Sequence, residues 1–386
     1  METQYGIAIS KQALDERFTE KAVDFVKQVL SRLICEQFSD MLYGEEFLNQ
    51  FNHVRIKDST TFKVPSNLAD HYKGRGHSAG ISIQYEFDLK TGKFLDLTLT
   101  EAVRNDQTDA GETVENMEKG DLIIRDLGYF STSVLAKIDK NEAFYLSRLQ
   151  AATAVYDETG LEIDFKKLRT SMLKNGVEKC EKQVFIGRGR LPVRLIIGLV
   201  PPEVYEQRIR RKHKEEKRRG CQMKEKTKYQ QQFNLFITNV GAKDLPEEKV
   251  MPLYRFRWQI ELMFKNWKSV FSIHTLQKMK RERYITMLYI RLILIVINLQ
   301  IINRLQSALP KQKGEEQVLL SYRKTLQTLK SRFSDILNIL RCNEEKAIKI
   351  LGNIYRMLSK NHWREKRKKR ENYCENILLF ICIPDK

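Results

Sequence analysis

With 386 residues and 42% hydrophobic content, the chain can form two or three domains with cores of their own, which excludes a disordered polypeptide. Sixty-eight Lys and Arg against 49 Asp and Glu leave a net charge of +19, so polyanions are the expected partners, nucleic acid first among them. The six cysteines stand far apart without a CxxC pair and the six histidines add no ligand spacing, which speaks for free thiols in a reducing compartment and against a zinc site.

The N-terminal "METQYGIAIS" lacks the apolar stretch of a signal peptide. The first fifty residues are helical in pattern, as in "SKQALDERFTEKAVDFVKQVLSRLI", where Ser10 can cap and apolar residues recur at three and four. From residue 53 the period changes to two. "HVRIKDST", the hairpin "GISIQYEFDLKTGKFLDLTLTEA" turning at Lys90 to Lys93, and "DLIIRDLGY" read as strands, with "DAGETVENMEKG" as a helix before the last. The helix "STSVLAKIDKN" and the strand "AFYLSRL" follow. This order predicts an α/β fold that opens on an antiparallel meander.

Between residues 150 and 237 the pattern becomes β-rich, with hairpins at "YDETGLEIDF" and "KQVFIGRGRLPVRLIIGLV". Pro201 and Pro202 then break the chain ahead of a run, 208–228, that carries eleven Lys or Arg against three Glu. Such a run reads either as a solvated helical face or as a phosphate-contacting surface. The strand "FNLFITN" returns the chain to the core. From 250 the sequence is helical nearly to its end, and a second basic cluster, "REKRKKR", stands at 364–370. The apolar run "ITMLYIRLILIVINLQII" at 285–302 carries Arg291 in its interior, which predicts a buried core helix and no membrane partner. The expected organisation is a helical segment at 1–50, a core in two parts at 51–149 and 238–305, a β-rich insertion with the basic segment at 150–237, and a helical basic region at 306–386.

One helix carries the sharpest pattern. On an ideal helix the stretch "YRFRWQIELMFKNWK" places Tyr254, Arg257, Glu261 and Lys268 within an arc of roughly 60°. Phe256, Ile260, Met263, Phe264, Trp267 and Phe271 occupy a separate apolar arc about 100° wide. An ordinary polar face with i,i+4 pairs from Glu261 to Arg257 and Lys265 would look similar. Two further carboxylates count against that plain reading: Asp58 ends the apparent strand "VRIKD", and Asp126 ends "LIIRD" just before Gly128. Two strand-end aspartates and a helical glutamate make a donor set for a hard divalent cation.

The spacing Y-x2-R-x3-E-x6-K over Tyr254, Arg257, Glu261 and Lys268 resembles the signature of the insertion-sequence-four family of DDE transposases. "KDSTTFKVP" and "DLIIRDLGYFS" are similar to the segments around that family's first and second catalytic aspartates, and the resemblance covers roughly residues 50 to 300. It implies a ribonuclease-H-like core interrupted by a β-rich insertion, with Asp58, Asp126 and Glu261 as catalytic residues and ligands of two Mg²⁺ ions, for which Mn²⁺ could substitute. Those ions would activate water at a scissile phosphodiester, and the freed 3′-OH would attack a second strand. Tyr254, Arg257 and Lys268 would grip phosphates of the DNA end.

The implied partners are terminal inverted repeats, target DNA and a second copy of the chain, in the bacterial cytoplasm. About fifty residues precede Asp58, fewer than family members carry, which implies a shortened region for recognising DNA ends. Two other classes share the same features: a non-catalytic inhibitor acting through dimer contacts, and a ribonuclease-H-like DNA nuclease without strand transfer. Inverted repeats beside the gene would separate the nuclease from the transposase.

Overall fold

The structure, a computed structural model, describes residues 8–35, 48–91, 93–151, 153–220, 222, 225–307, 320–339 and 341–362. The basic cluster at 364–370 lies outside the described residues. In chain order the elements are α1 (Lys11–Glu16), α2 (Glu20–Cys35), β1 (Val54–Lys63), β2 (Gly80–Asp88), β3 (Lys93–Glu101), α3 (Asp106–Thr113), β4 (Leu122–Arg125), α4 (Thr132–Lys140) and β5 (Phe144–Arg148). Then come β6 (Val155–Tyr156), α5 (Phe165–Lys174), β7 (Lys179–Ile186), β8 (Leu191–Leu199), α6 (Pro202–Arg219), α7 (Glu225–Gln230) and β9 (Phe233–Thr238). The helices α8 (Glu247–Val270), α9 (Arg281–Ser307), α10 (Tyr322–Ser331), α11 (Phe333–Ile339) and α12 (Glu344–Asn361) complete the chain. Two units can be distinguished, one of residues 45–58 and 105–257, the other of 1–44, 59–104 and 258–386.

In the first unit β1, β4 and β5 run parallel, with Val54 opposite Leu122, Lys57 opposite Arg125, and Leu122 opposite Phe144. Antiparallel strands continue from β5 in the order β9-β8-β7-β6. The arrangement is mixed α/β, and the meander expected at its start is the β2–β3 hairpin. One apolar cluster, including Val114, Ile123, Tyr145, Phe165, Ile186, Leu195 and Ile237, packs the helices onto this sheet. Its burial supplies most of the unit's driving force.

Several local expectations are revised. β1 continues to Lys63, so Asp58 stands inside a strand, because "STTFK" keeps the β-branched and aromatic alternation that extended backbone favours. α3 begins three residues ahead of the expected "DAGETVENMEKG", since the Asn105 side chain caps it by accepting from the Thr108 amide. "YDETGLEIDF" is a turn, held by the Asp157 carboxylate accepting from Thr159 and Leu161, with only a single bridge between Tyr156 and Glu162. The helix α5 was not anticipated, although Asp164 caps it and Phe165, Leu168 and Met172 mark its buried stripe at helical spacing. Pro201 and Pro202 do break the chain ahead of the basic run, between β8 and α6, and Pro202 is the first residue of α6, where a missing amide hydrogen costs nothing.

In the second unit β2 and β3 form an antiparallel hairpin with a bulge at Glu86/Phe87, in the order β3-β2-β1. All nine residues of β2 are buried. α2 packs on α9, whose Tyr284, Leu288, Leu292, Ile295, Val296, Leu299 and Ile302 are buried, and Arg291 donates to the Ser272 carbonyl. Residues 281–302 are long and apolar enough to cross a membrane, and this burial accounts for their composition as a core helix. The C-terminal half of α8 enters the same unit. Its Trp267 is 0% exposed and packs at 6.0 Å from the Tyr85 ring and 5.8 Å from the Phe94 ring.

Trp267→Ala is expected to destabilise the protein by about 3–5 kcal/mol, the range for truncating a fully buried aromatic, as read in denaturant unfolding followed by circular dichroism.

Candidate active site

Side chains alternate along a strand, so Val54, Ile56 and Asp58 point to one face of the sheet while Arg55 and Lys57 point to the other. On β4 the same rule groups Leu122 with Ile124 and Ile123 with Arg125. Because Lys57 lies opposite Arg125 in the last pair of the parallel β1–β4 register, the next residues, Asp58 within β1 and Asp126 directly after β4, follow where that ladder ends. The carboxyl ends of parallel strands are where α/β sheets present reactive groups.

Arg257 on α8 joins the two aspartates. Its Nη1 lies 3.7 Å from Asp58 Oδ2 and its Nε lies 3.4 Å from Asp126 Oδ1. The Arg257 and Asp58 side chains are each 13% exposed, Asp126 42%, so the cluster is open to solvent on the Asp126 side. Two neighbouring carboxylates, with hard oxygen donors only, fit a hard divalent cation. Among the described residues no group of three or more His, Cys, Asp or Glu forms a metal cluster. Glu261, the expected third donor, lies on α8 one turn beyond Arg257, and its side chain is outside the description.

Tyr254 sits one turn before Arg257 and is buried. Its hydroxyl donates to the Arg125 carbonyl at 3.4 Å, its ring meets Phe236 edge-on at 5.2 Å, and the Arg257 guanidinium lies 5.8 Å above it. Burial pushes its phenol up to about 12, with the Arg257 charge opposing and the Asp126 charge adding to the shift. Lys268, half-buried in the second unit, donates to the Thr61 carbonyl at 3.2 Å, and its burial lowers its pKa.

Sequence reasoning missed what lies on the opposite face of the sheet. Lys57 and Asp109 form an ion pair at 2.6 Å with side chains 1% and 4% exposed, and Arg55 pairs with Asp121 at 2.9 Å. Arg125 reaches Thr113 Oγ1 at 3.3 Å and the Ala110 carbonyl at 3.5 Å. The signal for these contacts was cations at alternate positions of an otherwise apolar strand.

The basic run lies largely on α6. Arg210 pairs with Glu206 and Lys212 with Glu215 along the helix, as on a solvated face. Arg208, Arg211 and Lys212 also line a cavity of about 700 Å³ with Arg148, Leu127 and the buried Gln230. Arg208 donates to the Gln231 and Phe233 carbonyls, and its pKa is lowered by burial and by the charge of Arg148.

Comparison with known proteins matches residues 49–299 to a family described as "Transposase DDE domain". The transposase for insertion sequence element IS231B of Bacillus thuringiensis subsp. berliner is 31% identical over 95% of this chain and 80% of its own length. The transposase for insertion sequence element IS1151 of Clostridium perfringens is 29% identical over 76% of this chain and 66% of its own.

Tyr254→Phe removes one long hydrogen bond and is expected to cost at most about 1 kcal/mol near neutral pH. A phenol whose folded pKa is raised contributes stability below pH 10 that is lost as pH climbs from 10 toward about 12, so the wild type should lose stability there faster than the variant in thermal denaturation followed against pH.

Proposed function

The chain belongs to the DDE transposase family, and on that premise we propose that this DNA transposase moves an insertion sequence by Mg²⁺-dependent cleavage of the element's ends followed by strand transfer, in a cut-and-paste reaction. The observation that carries the proposal is the convergence of Asp58 and Asp126 on one cationic centre beside α8. Parallel β1, β4 and β5 behind the antiparallel hairpin support a ribonuclease-H-like core, and the strands and helices between β5 and β9 support a β-rich insertion within it.

In this reading Asp58, Asp126 and Glu261 hold two Mg²⁺ ions, or Mn²⁺ in their place. When bound, the ions supply the Lewis acidity that makes water a nucleophile and stabilises a leaving 3′ oxygen. Asp58 and Asp126 give the donor atoms a fixed origin, because each is anchored in or directly after a strand. Arg257 answers the negative charge that phosphate brings to two carboxylates, and its planar fork suits a phosphodiester. Tyr254 supports this grip from beneath, tied to the Arg125 carbonyl with its ring under the guanidinium. Lys268 adds a point charge for DNA, and the cations of α6 extend the positive surface. An element has two ends and each chain one Asp58–Asp126 pair, so two copies acting on inverted repeats, and then on target DNA, complete the reaction in the cytoplasm.

With a supercoiled plasmid carrying the element's ends, the wild type should nick at those ends in Mg²⁺. Asp58→Asn and Asp126→Asn should each lower nicking by at least a hundredfold while gel-shift binding of end DNA persists. Wild-type nicking by both variants overturns the proposal.

A further inference from the structure

Lys57, directly before Asp58, is 1% exposed and carries its charge into the apolar side of the sheet. Its ion-pair partner there is Asp109 of α3, at 2.6 Å. A buried ion pair contributes little net stability compared with apolar side chains of the same volume, because the desolvation of both charges offsets their attraction. Stability alone therefore does not account for it. What such a pair supplies is direction: the ammonium can sit in one place only, and the backbone of Lys57 is fixed with it.

The same helix also holds the segment around Asp126. Thr113 Oγ1 donates to the Asp109 carbonyl at 2.7 Å and accepts from Arg125 Nη2 at 3.3 Å, so a continuous chain of polar contacts runs from Lys57 through α3 to Arg125. On the far side of Asp126 the Asp106 carboxylate closes over Gly128, where an added Cβ would stand 2.8 Å from Asp106 Oδ2. Residues on both sides of Asp126 and the residue before Asp58 thus touch one helix. The registered β1–β4 pairs end with Lys57 opposite Arg125, one residue short of both aspartates.

We propose that α3 is a brace that sets the placement of Asp58 and Asp126, with Lys57 and Asp109 as its positioning pair and with the affinity of the divalent-ion site as its output. The inference rests on the reading of these aspartates as metal ligands. Residues that orient metal ligands from behind typically change affinity by about ten- to a hundredfold when removed. The brace acts through the backbone of the ligand-bearing strands and touches neither metal nor DNA.

The test uses the full chain and Mn²⁺ as the probe, titrated calorimetrically without DNA. The double variant Lys57→Met/Asp109→Leu keeps the length and branching of the side chains and removes both charges. It is expected to unfold within a few degrees of the wild type, to bind Mn²⁺ at least about tenfold more weakly, and to nick DNA with a lowered kcat and an unchanged KM for DNA. Asp109→Glu, which keeps the charge, should recover part of the Mn²⁺ affinity. Arg194→Met, which breaks the Arg194–Glu181 pair on β8 and β7, should lower thermal stability without moving Mn²⁺ binding. Wild-type Mn²⁺ affinity in the folded double variant overturns the brace. Unaltered Mn²⁺ binding in Asp58→Asn instead strikes at the metal reading, which keeps the two failures apart.

Discussion

Two carboxylates set where the β1–β4 ladder ends repel one another, and the site depends on the Arg257 guanidinium that answers both. Like charges held close together repel at the effective dielectric of a protein surface. Arg257 lies within 4 Å of each aspartate, so it cancels that repulsion from a rigid helix. Its position follows from α8, where Tyr254 is pinned one turn earlier by the Arg125 carbonyl and the Phe236 ring. The strand pairing brings the acids together, and the helix makes their proximity tolerable.

The two faces of this sheet divide the work. On one, Asp58 and Arg257 are 13% exposed and Asp126 is 42% exposed, so the cluster is reached by solvent. On the other, Arg55 and Lys57 are neutralised by Asp121 and Asp109 in near-complete burial. Strand alternation forces this arrangement: a polar residue at 58 facing outward puts 55 and 57 inward, and the helices behind the sheet must supply their counter-charges. Removing one member of such a pair would leave a buried charge unanswered, which is far more costly than never having had the pair.

Much of this was legible in the sequence, for identifiable reasons. The period change at residue 53, the hairpin at Lys90 to Lys93 and the strand before Asp126 were carried by alternation, and local pattern decides such elements. The shared face of Tyr254 and Arg257 followed from helical geometry alone. What stayed hidden was what the faces meet. The contact of the Tyr254 hydroxyl with the Arg125 carbonyl, 129 residues away, is one that spacing within the helix does not reveal. The Lys57–Asp109 pair spans two elements, so alternation along β1 marks the cation but not its partner. α5 was missed for a different reason, since its capping aspartate and three-residue apolar stripe fell in a stretch dominated by strand signals.

The charge of +19 also needs dividing before it is read as affinity for DNA. Lys57, Arg55 and Arg194 are buried against acidic partners, and Arg208 is directed at main-chain carbonyls of the β9 edge. These cations hold the fold and add little to the outer field. Exposed positions such as Arg210, Arg211, Lys214, Lys217 and Arg218, all on α6, contribute to that field instead. Because counterion release scales with the cations that reach phosphate, the location of charge on that helix, more than the total, governs how steeply binding falls with salt.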